Sequence, residues 1–348
     1  MPHLEDADFT ITDISWSPSA EFIAIDYQPN PIITSFLKAD IALYDPAEKE
    51  LRPVITNSSS DGFAEWSPDG TQFVYTSSVE NDSSNFYANS RYFIYGMETG
   101  ASREVAQDFD ENLSMAAWTE DGIYATAWQK TRRPIFRLDP QNGSVELHSD
   151  DKRLVYGLSL SKDGSKAAMI ARDGDEVNEV YLTELETSEN ERLTNFNDQI
   201  SNWKTSDSEV ISWTSRDGAV IEGVLHKPRD YDPDKKYPLF VSIHGGPTGI
   251  SLPSPVPAYV YPIVQWVNKG ALVLQPNYRG SAGYGEEFRS LNVRNLGVGD
   301  AWDVLSGVDY LIEEGVVDST KLGSMGWSQG GYISAFLTTW SNRFSAVS

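Results

Sequence analysis

The sequence predicts a chain of two parts, in which a repeated antiparallel β-structure precedes an α/β domain. Three observations lead to this prediction. A turn motif recurs four times within residues 1–207. From residue 208 onward, short apolar strands alternate with helical segments, which is typical of an α/β sheet. A Gly-x-Ser-x-Gly motif then follows an apolar strand at residues 326–330. We therefore place the domain boundary between residues 207 and 208.

The first part is organised around the repeated turn. Its copies are Trp16–Ala20, Trp66–Gly70, Trp118–Gly122 and, more weakly, Leu160–Gly164, and they begin 50, 52 and 42 residues apart. Pro, Asp and Gly in these segments supply the constrained and positive φ angles that a tight turn requires. The regular spacing indicates one structural unit that is repeated four times.

Strand-forming runs surround each turn in the same order. In the second copy, Phe73–Thr76 follows the turn, Tyr92–Tyr95 comes next, and Ser102–Val105 completes the unit. Together with the strand before the turn, this makes four strands per repeat, which is typical of a β-propeller blade. An ordinary β-sandwich is the alternative, and the shared strand order favours the propeller. We count four recognisable blades in residues 1–207, which can close a ring or belong to an incomplete array.

The second part has a different pattern. Residues 210–225 predict a β-hairpin, and Leu239–Ile243 is an apolar run typical of a strand covered on both faces. Residues 259–268 and residues 300–314 predict helices, because each segment is followed by a glycine suited to a helix C-terminus. This alternation predicts a parallel α/β sheet in residues 208–348.

The Gly-x-Ser-x-Gly motif is typical of the nucleophile elbow of the α/β-hydrolase fold. Leu322–Met325 predicts the strand that enters the elbow, and Tyr332–Trp340 predicts the helix that leaves it. Gly326 and Gly330 provide the small neighbours that a sharp turn needs. Ser328 is therefore the candidate nucleophile, and the positive end of the helix dipole points toward it.

A second glycine-rich segment, His244–Pro247, follows the strand that ends at Ile243. Such a loop lets the backbone approach a reacting carbonyl and aim an N–H group at its oxygen. We predict that the backbone N–H groups of Gly246 and Gln329 form an oxyanion hole. Gly245 and His244 are predicted to support this loop. His244 is not predicted to be the general base, because it precedes the serine in the chain.

Three segments, Tyr237–Pro247, Asn277–Gly285 and Gly326–Gly331, resemble in order and spacing the prolyl oligopeptidase family of serine peptidases. Within that family the resemblance is to the acylaminoacyl-peptidase and dipeptidyl-peptidase-like branch. It implies an N-terminal β-propeller that admits short peptides and a C-terminal α/β-hydrolase domain. It also implies acyl-enzyme chemistry on a serine, with a histidine as general base, an aspartate that orients it, and no metal or cofactor.

The sequence departs from this pattern after the elbow, because residues 329–348 contain no Asp, Glu or His. The family also has more blades than the four recognised here. We therefore expect a chain truncated at both ends, and a polypeptide of residues 1–348 that is inactive. Two alternatives stay open, a non-catalytic remnant that binds peptides or partners and an esterase of the same fold. The propeller and the His-Gly-Gly-Pro segment favour a peptidase over an esterase.

The composition restricts the expected binding partners and the expected cellular compartment of the protein. The net charge of −24 disfavours nucleic acid and anionic membranes as partners. The family resemblance implies peptides as the ligands. The chain has no cysteine, which excludes disulfides and thiolate chemistry and fits a reducing compartment. The N-terminus lacks the features of a signal peptide, so we expect a cytoplasmic protein. The sequence leaves the oligomeric state open.

Overall fold

The chain forms four small β-sheets followed by one larger sheet with helices. The structure is a computed structural model that describes residues 8–78, 86–149, 152–174, 176–187, 189–257 and 260–348. Each of the first four sheets has four strands, and the fifth sheet has six. The four strands per repeat predicted from the sequence are therefore confirmed. Residues 1–7, at the N-terminus that lacks the features of a signal peptide, lie outside the described residues.

Sheets 1 to 4 follow one another along the chain, and within each the strands pair antiparallel in sequence order. The strands of sheets 1 and 2 are β1 (Thr10–Trp16), β2 (Ile23–Gln28), β3 (Asp40–Asp45), β4 (Glu50–Ile55), β5 (Ser60–Trp66), β6 (Gln72–Ser78), β7 (Arg91–Gly96) and β8 (Ser102–Val105). Those of sheets 3 and 4 are β9 (Leu113–Thr119), β10 (Gly122–Ala127), β11 (Ile135–Leu138), β12 (Val145–Leu147), β13 (Leu154–Leu160), β14 (Lys166–Arg172), β15 (Glu179–Glu184) and β16 (Glu189–Arg192).

The repeated turn joins the first two strands of each sheet. In sheet 2, the hydroxyl of Ser67 donates to Asp69 Oδ1 at 2.7 Å and accepts from the N–H of Gln72 at 2.9 Å. Gly70 takes a φ of +70°, which a residue without a Cβ adopts at little cost. A register shift also recurs between the first two strands of all four sheets. Such bulges increase the local twist, so the repeat extends to the shape of each sheet.

Neighbouring sheets pack on each other through buried apolar side chains. Three clusters join successive sheets, and they include Ile41 with Phe73, Ile94 with Ile123, and Ile135 with Val155. At the two ends of the stack, Trp16 and Ile170 are 55% and 47% exposed. Each sheet therefore buries apolar side chains against the next sheet, as blades of a propeller do.

The fifth sheet carries the second part of the chain. Its elements are β17 (Asp207–Thr214), β18 (Val220–Lys227), β19 (Tyr237–Ile243), α1 (Ile263–Asn268), β20 (Leu272–Asn277), α2 (Gly285–Ser290), α3 (Gly299–Glu313), β21 (Val317–Gly326), α4 (Gln329–Trp340) and β22 (Ala346–Val347). The strand order is β17-β18-β20-β19-β21-β22. β19 pairs parallel with both β20 and β21, which brings the C-terminal ends of these strands to one edge.

The predicted hairpin is confirmed, because β17 and β18 pair antiparallel. The prediction of parallel strands is wrong only for the pairing of β18 with β20, which is also antiparallel. The predicted helix over residues 259–268 is also too long, because α1 begins only after Pro262. A residue before proline is disfavoured in the α conformation, which prevents an earlier start. Residue 259 itself lies outside the described residues.

The helices α3 and α4 cover one face of the central strands. Val304 and Val308 of α3, with Ile333 and Leu337 of α4, are fully buried in the cluster that contains Val241 of β19. With 15 residues, α3 is the longest helix of the described ranges. Within those ranges, no helix combines the length and the apolar character needed to cross a membrane.

The two parts of the chain meet through buried polar contacts. Glu111, which precedes β9, forms an ion pair with Arg289 of α2, and both side chains are 2% exposed. The same carboxylate accepts the backbone N–H of Gly283 at 2.5 Å. Nearby, Lys130 donates its backbone N–H to Gly283 and its Nζ to Glu222 of β18, each at 2.6 Å. Sheet 3 is therefore joined to the α/β part by one buried ion pair, Glu111–Arg289, and one partly exposed ion pair, Lys130–Glu222.

We predict that Glu111→Gln lowers the free energy of unfolding by about 3–5 kcal/mol, because it leaves the buried guanidinium of Arg289 without a counter-charge. Urea unfolding followed by tryptophan fluorescence measures this change. The matched control is Glu104→Gln, since the Arg91–Glu104 pair has side chains 54% and 22% exposed. That control is expected to cost about 1 kcal/mol or less. Equal losses in the two variants would contradict the assigned role of Glu111.

Candidate active site

Ser328 lies between β21 and α4 in an unusual backbone conformation. Its φ is +54° and its ψ is −116°, and its side chain is exposed. A non-glycine residue with positive φ is strained and persists only where the surrounding structure holds it. The predicted strand-turn-helix context of the motif is therefore present, although α4 begins at Gln329 and not at Tyr332. The preceding Trp327 is 70% exposed.

The two glycines of the motif are required by close backbone contacts. A Cβ on Gly330 would lie 2.0 Å from the carbonyl oxygen of Ile243, at the end of β19. A Cβ on Gly326 would lie 2.2 Å from the carbonyl carbon of Gly330. No side chain fits at these distances, so α4 starts directly against the ends of β19 and β21. This contact holds Ser328 above the edge where the parallel strands end.

The His-Gly-Gly-Pro loop lies against the elbow. A Cβ on Gly245 would lie 2.7 Å from the carbonyl oxygen of Trp327 and 3.0 Å from Cβ of Ser328. Gly246 follows with a φ of +129°. Within the described residues, the N–H groups of Gly246 and Gln329 have no hydrogen-bond partner. Both predicted oxyanion donors are thus available near Ser328, and their role stays a prediction.

His244 has both ring nitrogens engaged. Its Nδ1 lies 2.9 Å from the carbonyl oxygen of Gly245, and its Nε2 lies 3.0 Å from the hydroxyl of Ser281. Burial lowers the pKa of His244 to about 4, so the ring is neutral near pH 7. Ser281 also donates its hydroxyl to the carbonyl oxygen of Tyr278 at 2.6 Å, so the contact with its oxygen joins the ring to the segment after β20. The ring therefore supports the glycine loop and has no free nitrogen for Ser328.

The remaining histidines lie elsewhere. His226 contacts Ser206 at 3.2 Å and Gln275 at 2.8 Å in the interior, and His148 stacks edge-on against Tyr124. His3 lies outside the described residues. Across the described ranges, no histidine or carboxylate hydrogen-bonds to Oγ of Ser328, and no group of three His, Asp or Glu side chains is arranged to hold a metal ion. The described site therefore has a nucleophile position without a general base.

The segment after β20, which carries part of the family resemblance, supports the glycine loop. The hydroxyl of Tyr278 donates to the carbonyl oxygen of His244 at 2.9 Å, and the two rings stack at 4.5 Å. The adjacent Arg279 is 1% exposed and pairs with Asp303 and Asp217, both at 2.7 Å. Its guanidinium is held from two sides, which fixes the segment that carries Tyr278. The glycine-rich stretch 277–285 was the signal, but spacing alone could not identify these partners.

Asp300 is a further buried residue that sequence reasoning missed. Its side chain is fully buried at the start of α3, where Oδ2 accepts from Nε2 of Gln329 at 3.2 Å. Burial raises the pKa of Asp300 to about 6, although the hydrogen bonds of its carboxylate act to lower the pKa. The nearby carboxylate of Asp303 also raises this pKa. Asp300 therefore contacts the side chain of the residue that follows the nucleophile.

Comparison with known proteins identifies relatives of this chain. A family model described as the prolyl oligopeptidase family matches residues 259–348. An uncharacterized peptidase, YuxL, of Bacillus subtilis is 28% identical over 276 residues, which cover 74% of this chain and 41% of YuxL. Dipeptidyl-peptidase 5 of Porphyromonas gingivalis is 24% identical over 332 residues, which cover 92% of this chain and 47% of that protein.

A solved structure shows the same fold. The acylaminoacyl peptidase of Pyrococcus horikoshii superposes with a TM-score of 0.79 at 23% identity, over 96% of this chain and 51% of the peptidase chain. The resemblance supports the arrangement of small antiparallel sheets followed by an α/β sheet. The chain spans about half of the length of the relatives that it matches.

We predict that Gly330→Ala destabilises the α/β part by at least about 1–3 kcal/mol, the usual cost of inserting a methyl group where no space exists. The new Cβ would force α4 away from β19. Gly331→Ala is the matched control, because its Cβ would lie 3.2 Å from the nearest atom, the carbonyl oxygen of Gly326. Thermal unfolding by circular dichroism compares the two. A smaller loss for Gly330→Ala than for Gly331→Ala would contradict the close contact.

We predict that Asp300 makes stability fall as pH rises from about 4 to 6. Its folded pKa of about 6 exceeds the unfolded value of 3.8, so the native state binds more protons in this window. Asp300→Asn removes this dependence, and its stability relative to the native chain should rise by up to about 3 kcal/mol across the window. Urea unfolding at pH 4.5 and pH 7 measures the difference.

The control for this prediction is Asp318→Asn. Hydrogen bonds from Thr320 lower the pKa of Asp318 to about 2, so its stabilising contribution is present above the unfolded pKa and is lost only as pH falls below about 4. Asp318→Asn should be less stable than the native chain at pH 7, and this difference in stability should change only at pH values below about 4. A difference between Asp300→Asn and the native chain that does not change from pH 4.5 to pH 7 would refute the assignment.

Proposed function

The chain belongs to the prolyl oligopeptidase family of serine peptidases, and on this premise we propose that Ser328 is the nucleophile in the hydrolysis of short peptides. One observation supports this most strongly. The hydroxyl-bearing residue is exposed, strained at φ +54°, and placed beside a glycine loop whose Gly246 N–H has no partner among the described residues. A serine in this position can approach a carbonyl carbon, with donors ready for the developing oxyanion.

The proposed reaction is acyl transfer. Oγ of Ser328 attacks the carbonyl carbon of the scissile peptide bond, while a general base takes the hydroxyl proton. The carbonyl oxygen becomes an anion that the N–H groups of Gly246 and Gln329 stabilise. The C–N bond then breaks, the amine leaves with the proton, and water hydrolyses the acyl-enzyme. Among the described residues, no general base contacts Oγ of Ser328. The proposed reaction therefore also requires the histidine and the aspartate that the family resemblance implies.

The proposed substrates are short peptides. The relatives are peptidases by name, including a dipeptidyl-peptidase and an acylaminoacyl peptidase. Sheet 3 packs against the α/β part through the contacts of Glu111 with Arg289 and Gly283. Sheet 4 lines a cavity that Trp327, the neighbour of Ser328, also lines. A folded protein would have to displace these sheets to reach the serine, whereas a short peptide would not. We therefore assign the stack of sheets the role of limiting substrate size.

A second candidate function is peptide binding without catalysis. The observation that favours it is the absence, among the described residues, of any histidine or carboxylate bonded to Oγ of Ser328. A polypeptide of residues 1–348 would then bind substrates and hydrolyse none. An esterase of the same fold is less favoured, since the adjoining sheets and the relatives both point to peptides.

We predict that a fluorophosphonate probe labels Ser328 in the polypeptide of residues 1–348, but slowly. Loss of one triad member reduces catalytic power by about 10⁴ to 10⁶, so labelling should be slower than that of an intact serine hydrolase by a similar order. Peptide mapping by mass spectrometry identifies the labelled residue, and labelling over time gives the rate.

Ser328→Ala is expected to abolish labelling. The matched control is Ser319→Ala, because Ser319 is an exposed serine on the same strand β21 and has ordinary extended backbone. That variant should label like the native chain. Labelling of another serine would contradict the assigned nucleophile, and labelling at the rate of an intact triad would contradict the absence of a base.

A further inference from the structure

A cavity of about 690 Å³ lies between sheet 4 and the α/β part, next to the candidate site. Gly245 and Trp327, which flank the elbow, line one side of it. Tyr156 and Arg172 of sheet 4 line the opposite side. Most of the remaining lining is apolar and comes from the segment between β19 and α1. The volume lies within the usual range for sites that enclose a small ligand, about 300–1,000 Å³.

Arg172 is unusual among the buried arginines of the described chain. Arg172 is 6% exposed, and the two other buried arginines, Arg279 and Arg289, are 1% and 2% exposed. Those two arginines form ion pairs with buried carboxylates, Asp303 and Glu111 respectively. Across the described ranges, no carboxylate lies within ion-pair distance of Arg172. A buried cation without a counter-charge is costly, so this arginine needs another explanation.

The neutral partners of Arg172 leave donor capacity unused. The guanidinium donates from NH1 to the carbonyl oxygens of Pro253 at 2.5 Å and Gly174 at 3.3 Å. From Nε and NH2 it donates to the hydroxyl of Tyr156 at 3.3 and 3.0 Å. A guanidinium has five N–H donors, so one on NH2 has no partner within the described residues. These neutral oxygens hold the side chain in place without cancelling its charge.

The cavity is therefore cationic inside a strongly acidic protein. Among its described lining residues, Arg172 is the single group that carries a formal charge near pH 7. The ring of His244, which also lines the cavity, is neutral there because burial lowers its pKa to about 4. The net charge of the whole chain is −24. An anion would be repelled by most of this surface and attracted at this one enclosed position.

We propose that Arg172 binds the C-terminal carboxylate of a short peptide and thereby selects substrates with a free C-terminus. A carboxylate can accept two parallel N–H bonds from a guanidinium, which makes arginine well suited to this group. The apolar lining then receives the side chains of the peptide's last residues. The inference rests on the proposed function, because the peptide would extend from Ser328 into this cavity and its C-terminal part would be the leaving amine.

The competing explanation is structural. Arg172 joins sheet 4 to the segment that contains Pro253, so it could serve only to hold the two parts together. In that case its loss would lower stability without affecting how the protein distinguishes peptide acids from peptide amides. Binding measurements with matched peptides separate the two roles, and they require no catalysis.

The experiment measures binding of the tetrapeptide Gly-Gly-Leu-Phe to the 348-residue polypeptide by isothermal titration calorimetry at low ionic strength. The peptide is compared as the free acid and as the C-terminal amide. We expect the acid to bind at least about ten-fold more tightly, as a charge-assisted hydrogen-bond pair implies. Equal affinities for the acid and the amide would overturn the proposal.

Variants then assign the preference to Arg172. Arg172→Gln should abolish it, and Arg172→Lys should retain part of it, because lysine keeps the charge but loses the two-pronged geometry. Arg153→Gln is the matched control, since Arg153 adjoins the same sheet and is placed 3.9 Å from Asp173, outside the cavity lining. This control should keep the native preference. If Arg172→Gln fails to fold, an unchanged preference in a folded Arg172→Lys variant overturns the proposal, and a reduced one supports it.

Two further comparisons test whether the bound anion is the C-terminal carboxylate and whether its binding is independent of the chemistry at Ser328. An amidated peptide with Glu in place of Leu should bind as weakly as the parent amide, and tight binding would overturn the assignment to the C-terminus. Ser328→Ala should keep the full preference for the acid. Failure of fluorophosphonate labelling with a retained preference would contradict the proposed chemistry alone. Labelling with no preference would contradict the carboxylate site alone.

Discussion

The contact between the start of α4 and the end of β19 is the constraint on which the site depends. With no room for a side chain at Gly326 or Gly330, the helix begins directly on the strand ends, and Ser328 is forced into a strained turn. The same closeness brings Gly245 against Trp327 and Ser328. Ser328 and the glycine loop are therefore positioned by one steric fit between backbones, which no single hydrogen bond could provide.

Polar contacts extend this arrangement outward. Tyr278 and His244 join the glycine loop to the segment after β20, and Arg279 anchors that segment to α3 through Asp303. Farther along, Arg289 connects α2 to Glu111 and so to sheet 3. Each of these charges is buried and paired, and a paired buried charge is far more sensitive to loss of its partner than an exposed one. The site is thus supported by residues from both parts of the chain.

Much of the fold could be predicted because its signals are local. The turn around Ser67 and Gly70 has a specific residue chemistry, and its repetition reveals four similar sheets. The elbow around Ser328 is recognisable for the same reason, since glycine spacing and an apolar strand lie in one short segment. Errors arose where pairing between distant strands decides the outcome. The antiparallel pairing of β18 with β20 is the example. The late start of α1 has a local cause, Pro262, which the helix prediction overlooked.

The charged partners lay beyond sequence reasoning, because nothing in the local pattern relates residues so far apart. Glu111 and Arg289 are separated by 178 positions, yet they meet in a space closed to water. Arg172 looks like an ordinary strand arginine until the fold encloses it beside the elbow without a carboxylate. Residue type and spacing determined the strands, the turns and the candidate nucleophile. Burial, which depends on all surrounding elements at once, decided which charges are paired and which one faces the cavity.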